Sequence, residues 1–202
     1  MKSIILIGDS IRHGYQPTVA AELAGRADLW APQENCSNSR RVLENLDAWV
    51  IDRKPDVVHL NCGLHDLARR DENMRRAELC EIGLNEYRDN LIKSFTRIRQ
   101  RTNAVVIWAS STPVNGENHH RNKPFDRWEP DVEAYNTVAS AVVRGLDGPA
   151  VPVNDLYGLV MREGRDRLLL PDGVHFTQEG YAILGRQVAD AIGEQLRGPS
   201  QA

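Results

Sequence analysis

The chain has 202 residues, 41% of them hydrophobic, and a net charge of −3 from 28 acidic and 25 basic side chains. This length favours one domain with a sizeable core, and we expect a single domain over residues 1–202 whose last few residues are frayed. No long block of one charge sign indicates binding to nucleic acid or to an anionic membrane. No apolar run approaches the roughly 20 residues that a membrane-spanning helix needs.

The remaining composition points away from metals and disulfides. The three cysteines are odd in number and form no C-x-x-C pair, which indicates neither a disulfide framework nor a thiolate zinc site. His119 and His120 are neighbours, so their side chains point in different directions, and we interpret them as part of a solvated loop. We therefore expect no metal and no cofactor. Met1 leads directly into a predicted strand, leaving no room for a signal peptide, which predicts a cytoplasmic location.

Apolar, β-branched-rich runs alternate along the chain with segments of helical period. The predicted strands are residues 4–7, 28–30, 57–60, 104–108 and 151–153. Helical faces are predicted within residues 84–98, 132–142 and 181–196, with Thr177 as the N-cap of the last helix. Strands that alternate with helices form right-handed crossovers and a parallel sheet covered on both faces. The pattern predicts a three-layer α/β/α sandwich with a five-stranded parallel sheet.

Three polar motifs stand at the ends of these elements. Gly8-Asp9-Ser10 follows the first strand, Gly-Leu-His-Asp at residues 63–66 follows the third, and Asp172-Gly-Val-His175 precedes the last helix. In open α/β sheets, ligand sites form beyond the carboxyl ends of the strands. We therefore expect these motifs to meet at one edge of the sheet.

The residue types in the first and last motifs are those that nucleophilic acyl transfer requires. A serine hydroxyl attacks poorly at neutral pH unless an imidazole takes its proton, and a carboxylate must hold that imidazole in the right tautomer. We predict Ser10 as the nucleophile, His175 as the base and Asp172 as the orienting carboxylate. Each motif alone has a simpler interpretation, since Gly-Asp-Ser suits a turn and helix cap, and Pro-Asp-Gly suits a turn. Their joint occurrence favours catalysis.

In this order and context the motifs resemble the SGNH (GDSL-type) hydrolases. The resemblance extends from Gly8 to His175 and implies a flavodoxin-like sheet with serine esterase chemistry. The G-x-S-x-G elbow of the α/β-hydrolase fold is absent from the sequence. The first and last motifs of the family are intact here, and their spacing makes them specific together.

Two motifs depart from the family pattern, and both concern the oxyanion hole. His65 stands where the family has a side-chain amide, and Asn38 is aligned with a family glycine because asparagine tolerates left-handed backbone angles. The resemblance then implies that the oxyanion is held by the Ser10 and Asn38 backbone amides and by the His65 side chain. Asp9 is interpreted as a turn residue and Asp66 as a brace of its segment.

The stretch after the fourth strand is long and polar, and loops of this length are more often functional than idle. We expect residues 112–128 to form one wall of the substrate cleft, with Trp128 as a candidate substrate-binding residue. The mixture of Asn, His, Arg and Asp with two aromatic residues suits a sugar or another polar acyl carrier. It does not suit a channel for a long acyl chain.

These observations favour a serine esterase for a small acyl ester, with O-acetyl groups on a carbohydrate as the first candidate. A thioesterase or lysophospholipase would use the same chemistry on other substrates. A non-catalytic flavodoxin-like binding module is a third hypothesis. Phosphate binding at the first helix is weakly supported, because no Gly-rich cradle or lysine follows the first strand. Nothing in the sequence indicates an oligomeric state.

Overall fold

The computed structural model describes residues 1–197 and contains one five-stranded parallel sheet. Its strands are β1 (Lys2–Ile7), β2 (Ala27–Trp30), β3 (Val57–Leu60), β4 (Val105–Ala109) and β5 (Val153–Asn154), in the spatial order β2-β1-β3-β4-β5. All five predicted strands are present, with ends shifted by a residue or two. The last four residues of β1 and all four residues of β3 are buried, because helices cover both faces of the sheet.

Helices lie between successive strands and after β5. They are α1 (Ser10–Glu22), α2 (Ser39–Glu44), α3 (Leu46–Trp49), α4 (Leu84–Arg101), α5 (Gly116–Asn122), α6 (Glu129–Gly145), α7 (Leu156–Glu163), α8 (Arg165–Leu168) and α9 (Gln178–Leu196), with a 3₁₀ turn at Ile51–Arg53. α1 packs against α9, while α2, α4 and α6 pack in a row against one another. The predicted three-layer α/β/α sandwich is therefore confirmed. Within the described residues, no helix combines the length and apolarity needed to cross a bilayer.

The first and last long helices approach each other closely through two glycines. A Cβ atom on Gly14 would lie 2.1 Å from the Tyr181 ring, and one on Gly185 would lie 2.5 Å from Cβ of Thr18. Both distances are far below van der Waals contact, so only glycine lets the helix backbones come this near. α9 begins as predicted, since the Thr177 hydroxyl accepts a hydrogen bond from the Gly180 N–H at 3.1 Å. The contact between Gly14 and Tyr181 fixes the start of α9 relative to the start of α1.

The segment after β4 differs from the prediction of an extended polar loop. It contains α5, which begins after Asn115, whose side chain accepts a hydrogen bond from the Asn118 N–H at 3.0 Å. The interpretation of His119 as a solvated residue is wrong: the side chain is 0% exposed, with its ring 5.2 Å from that of Phe125. Its helical neighbour His120 is exposed, because adjacent helical residues face different directions.

Candidate active site

Three segments converge at the carboxyl edge of the sheet. β1 pairs with β3 so that Ile7 lies opposite Leu60, and the residues that follow each strand therefore leave the sheet side by side. The third segment joins them through a backbone hydrogen bond of 3.3 Å from the Cys36 N–H to the Gly8 carbonyl. The motifs around Ser10, residues 36–39 and residues 63–66 thus lie together, as the sequence predicts.

Ser10, His175 and Asp172 form a continuous chain of short contacts. Ser10 Oγ lies 2.9 Å from His175 Nε2, although the two residues are 165 positions apart in sequence. His175 Nδ1 lies 2.6 Å from Asp172 Oδ2. Because a carboxylate oxygen only accepts, Nδ1 carries the proton, and in the neutral ring Nε2 is left to accept from the serine hydroxyl.

The Asp172 carboxylate is held in its ionised form. Partial burial on its own would raise its pKa, but hydrogen bonds from the His175 ring and from the backbone N–H groups of His175 and Val174 outweigh that effect. The pKa of Asp172 therefore lies well below its usual range. A permanently charged carboxylate can both fix the ring orientation and stabilise an imidazolium ion.

Ser10 also lies at a helix start. It is the first residue of α1, so its backbone N–H has no partner one turn earlier in the helix. Asp9 caps this helix, with its Oδ1 accepting from the Ile11 N–H at 2.9 Å, which agrees with its interpretation as a turn residue. The free amide and the positive end of the helix dipole suit a developing negative charge.

The backbone at residues 37–39 differs in detail from the expectation. Asn38 is extended, with φ −94° and ψ 172°, and the left-handed residue is Ser37, with φ 57°. The left-handed angle proposed for Asn38 is therefore wrong. The side chain of Asn38 instead caps α2, its Oδ1 accepting from the Arg41 N–H at 3.0 Å.

The Asn38 amide nevertheless remains available. The Ser37 N–H donates to Asn35 Oδ1 at 2.8 Å, and the Ser39 N–H donates to the Asp66 carboxylate at 2.9 Å. Among these three amides, only that of Asn38 has no partner in the described residues. The Ser37 and Ser39 amides are thus occupied by hydrogen bonds, and the Asn38 amide between them is left for a ligand.

His65 can serve as a hydrogen-bond donor. Its Nδ1 lies 3.3 Å from the Ser37 hydroxyl and 3.5 Å from Nη2 of Arg70, a group that only donates. Nδ1 is then the acceptor and Nε2 carries the proton. Burial is the main reason that the pKa of His65 is lowered to about 4; Asp9 opposes this shift, and Arg127 and Arg70 contribute to it. At neutral pH the ring is an uncharged donor, as an amide would be.

Two charged residues near the site have no signal in the sequence. Arg127 is 6% exposed, donates from Nε to the Leu64 carbonyl at 2.5 Å, and has Nη1 3.2 Å from His119 Nε2. It thereby supports the loop that carries His65, although burial lowers its pKa to about 10. Lys123 Nζ lies 3.2 Å from Asp172 Oδ2. Leu64 and Asp172, the partners of Arg127 and Lys123, lie far from them in sequence, so only the folded structure reveals these contacts.

Asp66 braces two of the converging segments. It is 0% exposed and accepts from the Ser39 N–H with both oxygens, at 2.9 and 3.1 Å. Burial raises its pKa to about 7, while the hydrogen bonds from Ser39 act in the opposite direction. This residue therefore fixes the start of α2 against the loop after β3, as its interpretation as a brace requires.

The contacts of Trp128 lie within its own segment. Its ring stacks on that of His120, with centroids 5.7 Å apart, and it packs against Gly116. Its role in substrate binding stays a prediction. Within residues 1–197, no three His, Cys, Asp or Glu side chains are grouped so that they could hold a metal ion.

Comparison with known proteins identifies the family. The model of the GDSL-like lipase/acylhydrolase family matches residues 6–183. A search of curated proteins found no significant match. A solved lipase/acylhydrolase from Enterococcus faecalis is 24% identical, with a TM-score of 0.77 and 100% of both chains covered.

Two solved acetylxylan esterases share the fold at lower identity. The enzyme from Geobacillus stearothermophilus is 18% identical, with a TM-score of 0.73 over 95% of this chain and 94% of that one. The acetyl xylan esterase AlAXEase is 15% identical, with a TM-score of 0.72 over 94% of this chain and 99% of that one. The protein is thus of the class of carboxylic ester hydrolases. The chain belongs to the GDSL-like lipase/acylhydrolase family.

Proposed function

We propose that the protein is a serine esterase that hydrolyses small acyl esters, with O-acetyl groups on a carbohydrate as its substrate class. The observation that carries the proposal is the pair of contacts linking Ser10 Oγ to His175 Nε2 at 2.9 Å and His175 Nδ1 to Asp172 Oδ2 at 2.6 Å. This arrangement supplies a nucleophile, a base and an orienting carboxylate in one line.

The reaction has two halves. Ser10 Oγ attacks the ester carbonyl carbon while its proton passes to His175 Nε2, and the carbonyl oxygen becomes an oxyanion. The tetrahedral intermediate then breaks its bond to the alcohol oxygen, which takes the proton from His175, and the acyl group stays on Ser10. Water attacks this acyl-enzyme with His175 again as the base, and release of the acid restores the serine hydroxyl.

Three donors are proposed for the oxyanion. They are the Ser10 backbone amide at the start of α1, the Asn38 backbone amide, and Nε2–H of His65. The hydrogen-bond partners of Ser37 and Ser39 support the second donor, and the tautomer of His65 supports the third. Loss of one such donor costs about 2.7–4 kcal/mol of transition-state stabilisation in a comparable serine hydrolase.

One observation supports a short acyl group. Two fold neighbours are named as acetylxylan esterases, which is consistent with acetyl removal here. The segment 112–128 contributes polar groups beside the site, including Lys123 at Asp172.

The test of the nucleophile compares the wild type with Ser10→Ala. An organophosphonate probe is expected to label the wild type at one site per chain and to leave Ser10→Ala unlabelled. The kcat of Ser10→Ala is expected to be lower than that of the wild type by a factor of about 10³–10⁶. Ser140→Ala, a serine of α6 that lines a different cavity, is the matched control and is expected to keep full labelling. Full turnover by a folded Ser10→Ala would overturn the proposal.

The test of substrate class compares acyl chain lengths and acyl carriers. We expect p-nitrophenyl acetate to be preferred over a long-chain ester, and acetate to be released from acetylated oligosaccharides. Strong preference for long chains would indicate a lysophospholipase, and preference for acyl thioesters would indicate a thioesterase. If Trp128 contacts the sugar, Trp128→Ala raises KM for the oligosaccharide and leaves KM for p-nitrophenyl acetate unchanged.

A further inference from the structure

Asp172 has a cationic partner in addition to the His175 ring. Lys123 Nζ lies 3.2 Å from Asp172 Oδ2, the same oxygen that lies 2.6 Å from His175 Nδ1. The side chains of Lys123 and Asp172 are 33% and 20% exposed, so water shields this contact only in part. One carboxylate oxygen is therefore shared between an imidazole and an ammonium group.

Hydrogen bonds at both ends of α5 fix the position of Lys123. The Asn115 N–H donates to the Gly173 carbonyl at 2.8 Å, and Asn122 Nδ2 donates to the Pro171 carbonyl at 2.9 Å. These two hydrogen bonds hold α5 against the turn that carries Asp172. The contact between the ammonium and the carboxylate thus follows from the packing of two segments.

The shared oxygen has a consequence for the base. An imidazolium at His175 is stabilised by the negative charge of Asp172 and destabilised by the positive charge of Lys123. With Lys123 present, the carboxylate attracts a proton on the ring less strongly. His175 then stays able to accept the Ser10 proton at a lower pH than it would beside Asp172 alone.

Three other titratable groups lie near Asp172: Arg127 before α6, His119 of α5 and Tyr181 of α9. Arg127, with a pKa of about 10, is charged at neutral pH, and Asp9 lies near Arg127 and Tyr181. His119 of α5 and Tyr181 of α9 are neutral near pH 7, because burial lowers the pKa of the first to about 4 and raises that of the second. Lys123 is the one cation with a direct contact to the Asp172 carboxylate in the described residues.

We propose that Lys123 is a positioning residue that acts through Asp172: it fixes the carboxylate and weakens the hold of His175 on a proton. This inference rests on the proposed function of Ser10, His175 and Asp172. It adds a residue that neither the motifs nor the family resemblance indicates.

The test is the pH profile of kcat/KM for p-nitrophenyl acetate in Lys123→Met, over the range in which each protein is folded by circular dichroism. We expect the midpoint of the acid limb to move to higher pH by about 0.5 to 1 pH unit, from the loss of one partly screened charge. We then compare kcat/KM one pH unit below the wild-type midpoint, expressing it for each protein relative to its own plateau at higher pH. This relative value is expected to be about 3- to 9-fold lower in Lys123→Met than in the wild type. Lys123→Arg is expected to restore the wild-type midpoint.

The controls separate this inference from the proposed function. Lys93→Met removes an exposed lysine of α4 and is expected to leave the profile unchanged. An unchanged midpoint in Lys123→Met, or an equal loss of rate at every pH, overturns the tuning role. Lys123→Gln replaces the variant if Lys123→Met does not fold. Activity that persists in Ser10→Ala would instead overturn the proposed function itself.

Discussion

Histidines that the fold keeps uncharged are expected to destabilise the protein in mild acid. His59 and His119 are fully buried, and burial lowers their pKa values to about 3 and about 4. His65 shifts in the same direction, to about 4. In the unfolded chain each ring titrates near ~6.5. The unfolded state therefore binds protons that the folded state does not, and stability falls as the pH drops from about 6.5 toward 4.

The size of the effect follows from these values. Between pH 7 and pH 5, each fully buried histidine lowers the free energy of unfolding by about 2 kcal/mol. Asp66 opposes this loss, because its folded-state pKa of about 7 lies above the unfolded value and the folded protein takes up a proton first. That uptake adds about 2 kcal/mol over the same interval. Depending on how much His65 contributes, the net loss is about 2 to 4 kcal/mol.

Urea unfolding at pH 7 and pH 5 measures this loss directly. His59→Leu is expected to be less stable at pH 7, because Asn154 Nδ2 lies 3.1 Å from His59 Nε2 and would lose its acceptor. The same variant is expected to lose about 2 kcal/mol less stability than the wild type on acidification. His13→Gln, at an exposed position of α1, is the matched control. An identical pH dependence in His59→Leu and the wild type would refute the reasoning.

Three further predictions concern the site and its support. Asp172→Asn keeps the side-chain size but removes the charge that holds His175 Nδ1–H, so steady-state kinetics are expected to show a kcat lower by about 10³–10⁴. His65→Ala is expected to lower kcat by a factor of about 10²–10³. His65→Asn keeps a hydrogen-bond donor, so its kcat is expected to stay within about 10-fold of the wild-type value. Equal losses of kcat in the two variants would show that His65 does not stabilise the oxyanion. Gly185→Val forces a side chain into Thr18 and is expected to cost about 1–3 kcal/mol in urea unfolding. Gly145→Ala, where a Cβ meets nothing within 4 Å, is its control.

The sheet and the convergence of the motifs could be predicted because their signals are local. Residues 4–7 and 57–60 are apolar runs long enough only for buried strands, and they pair in the structure as β1 and β3. The topology then places the residues after each strand at one edge. This argument covers Ser10 and residues 63–66, which follow β1 and β3, whereas the meeting of Ser10 with His175 is expected from the residue types and the order of the motifs.

The parts that could not be predicted depend on tertiary contacts. α5 has the sequence Gly-Glu-Asn-His-His-Arg-Asn, with His119 as its one buried position, so no apolar period reveals it. The left-handed turn falls on Ser37, a residue type that seldom adopts it, while the neighbouring asparagine does not. Lys123 and Arg127 are long side chains whose partners lie far along the chain. Composition does not reveal such pairs.

The glycine-mediated contact between α1 and α9 has a consequence for how the protein acquires activity. The hydroxyl and the imidazole stand at the heads of two helices drawn from opposite ends of the described chain, and neither can work until those helices dock. We expect contacts between such remote segments to form late during folding, because closing a long intervening loop costs more entropy than closing a short one. Recovery of turnover after dilution from denaturant would therefore time the final docking event, well after secondary structure has returned.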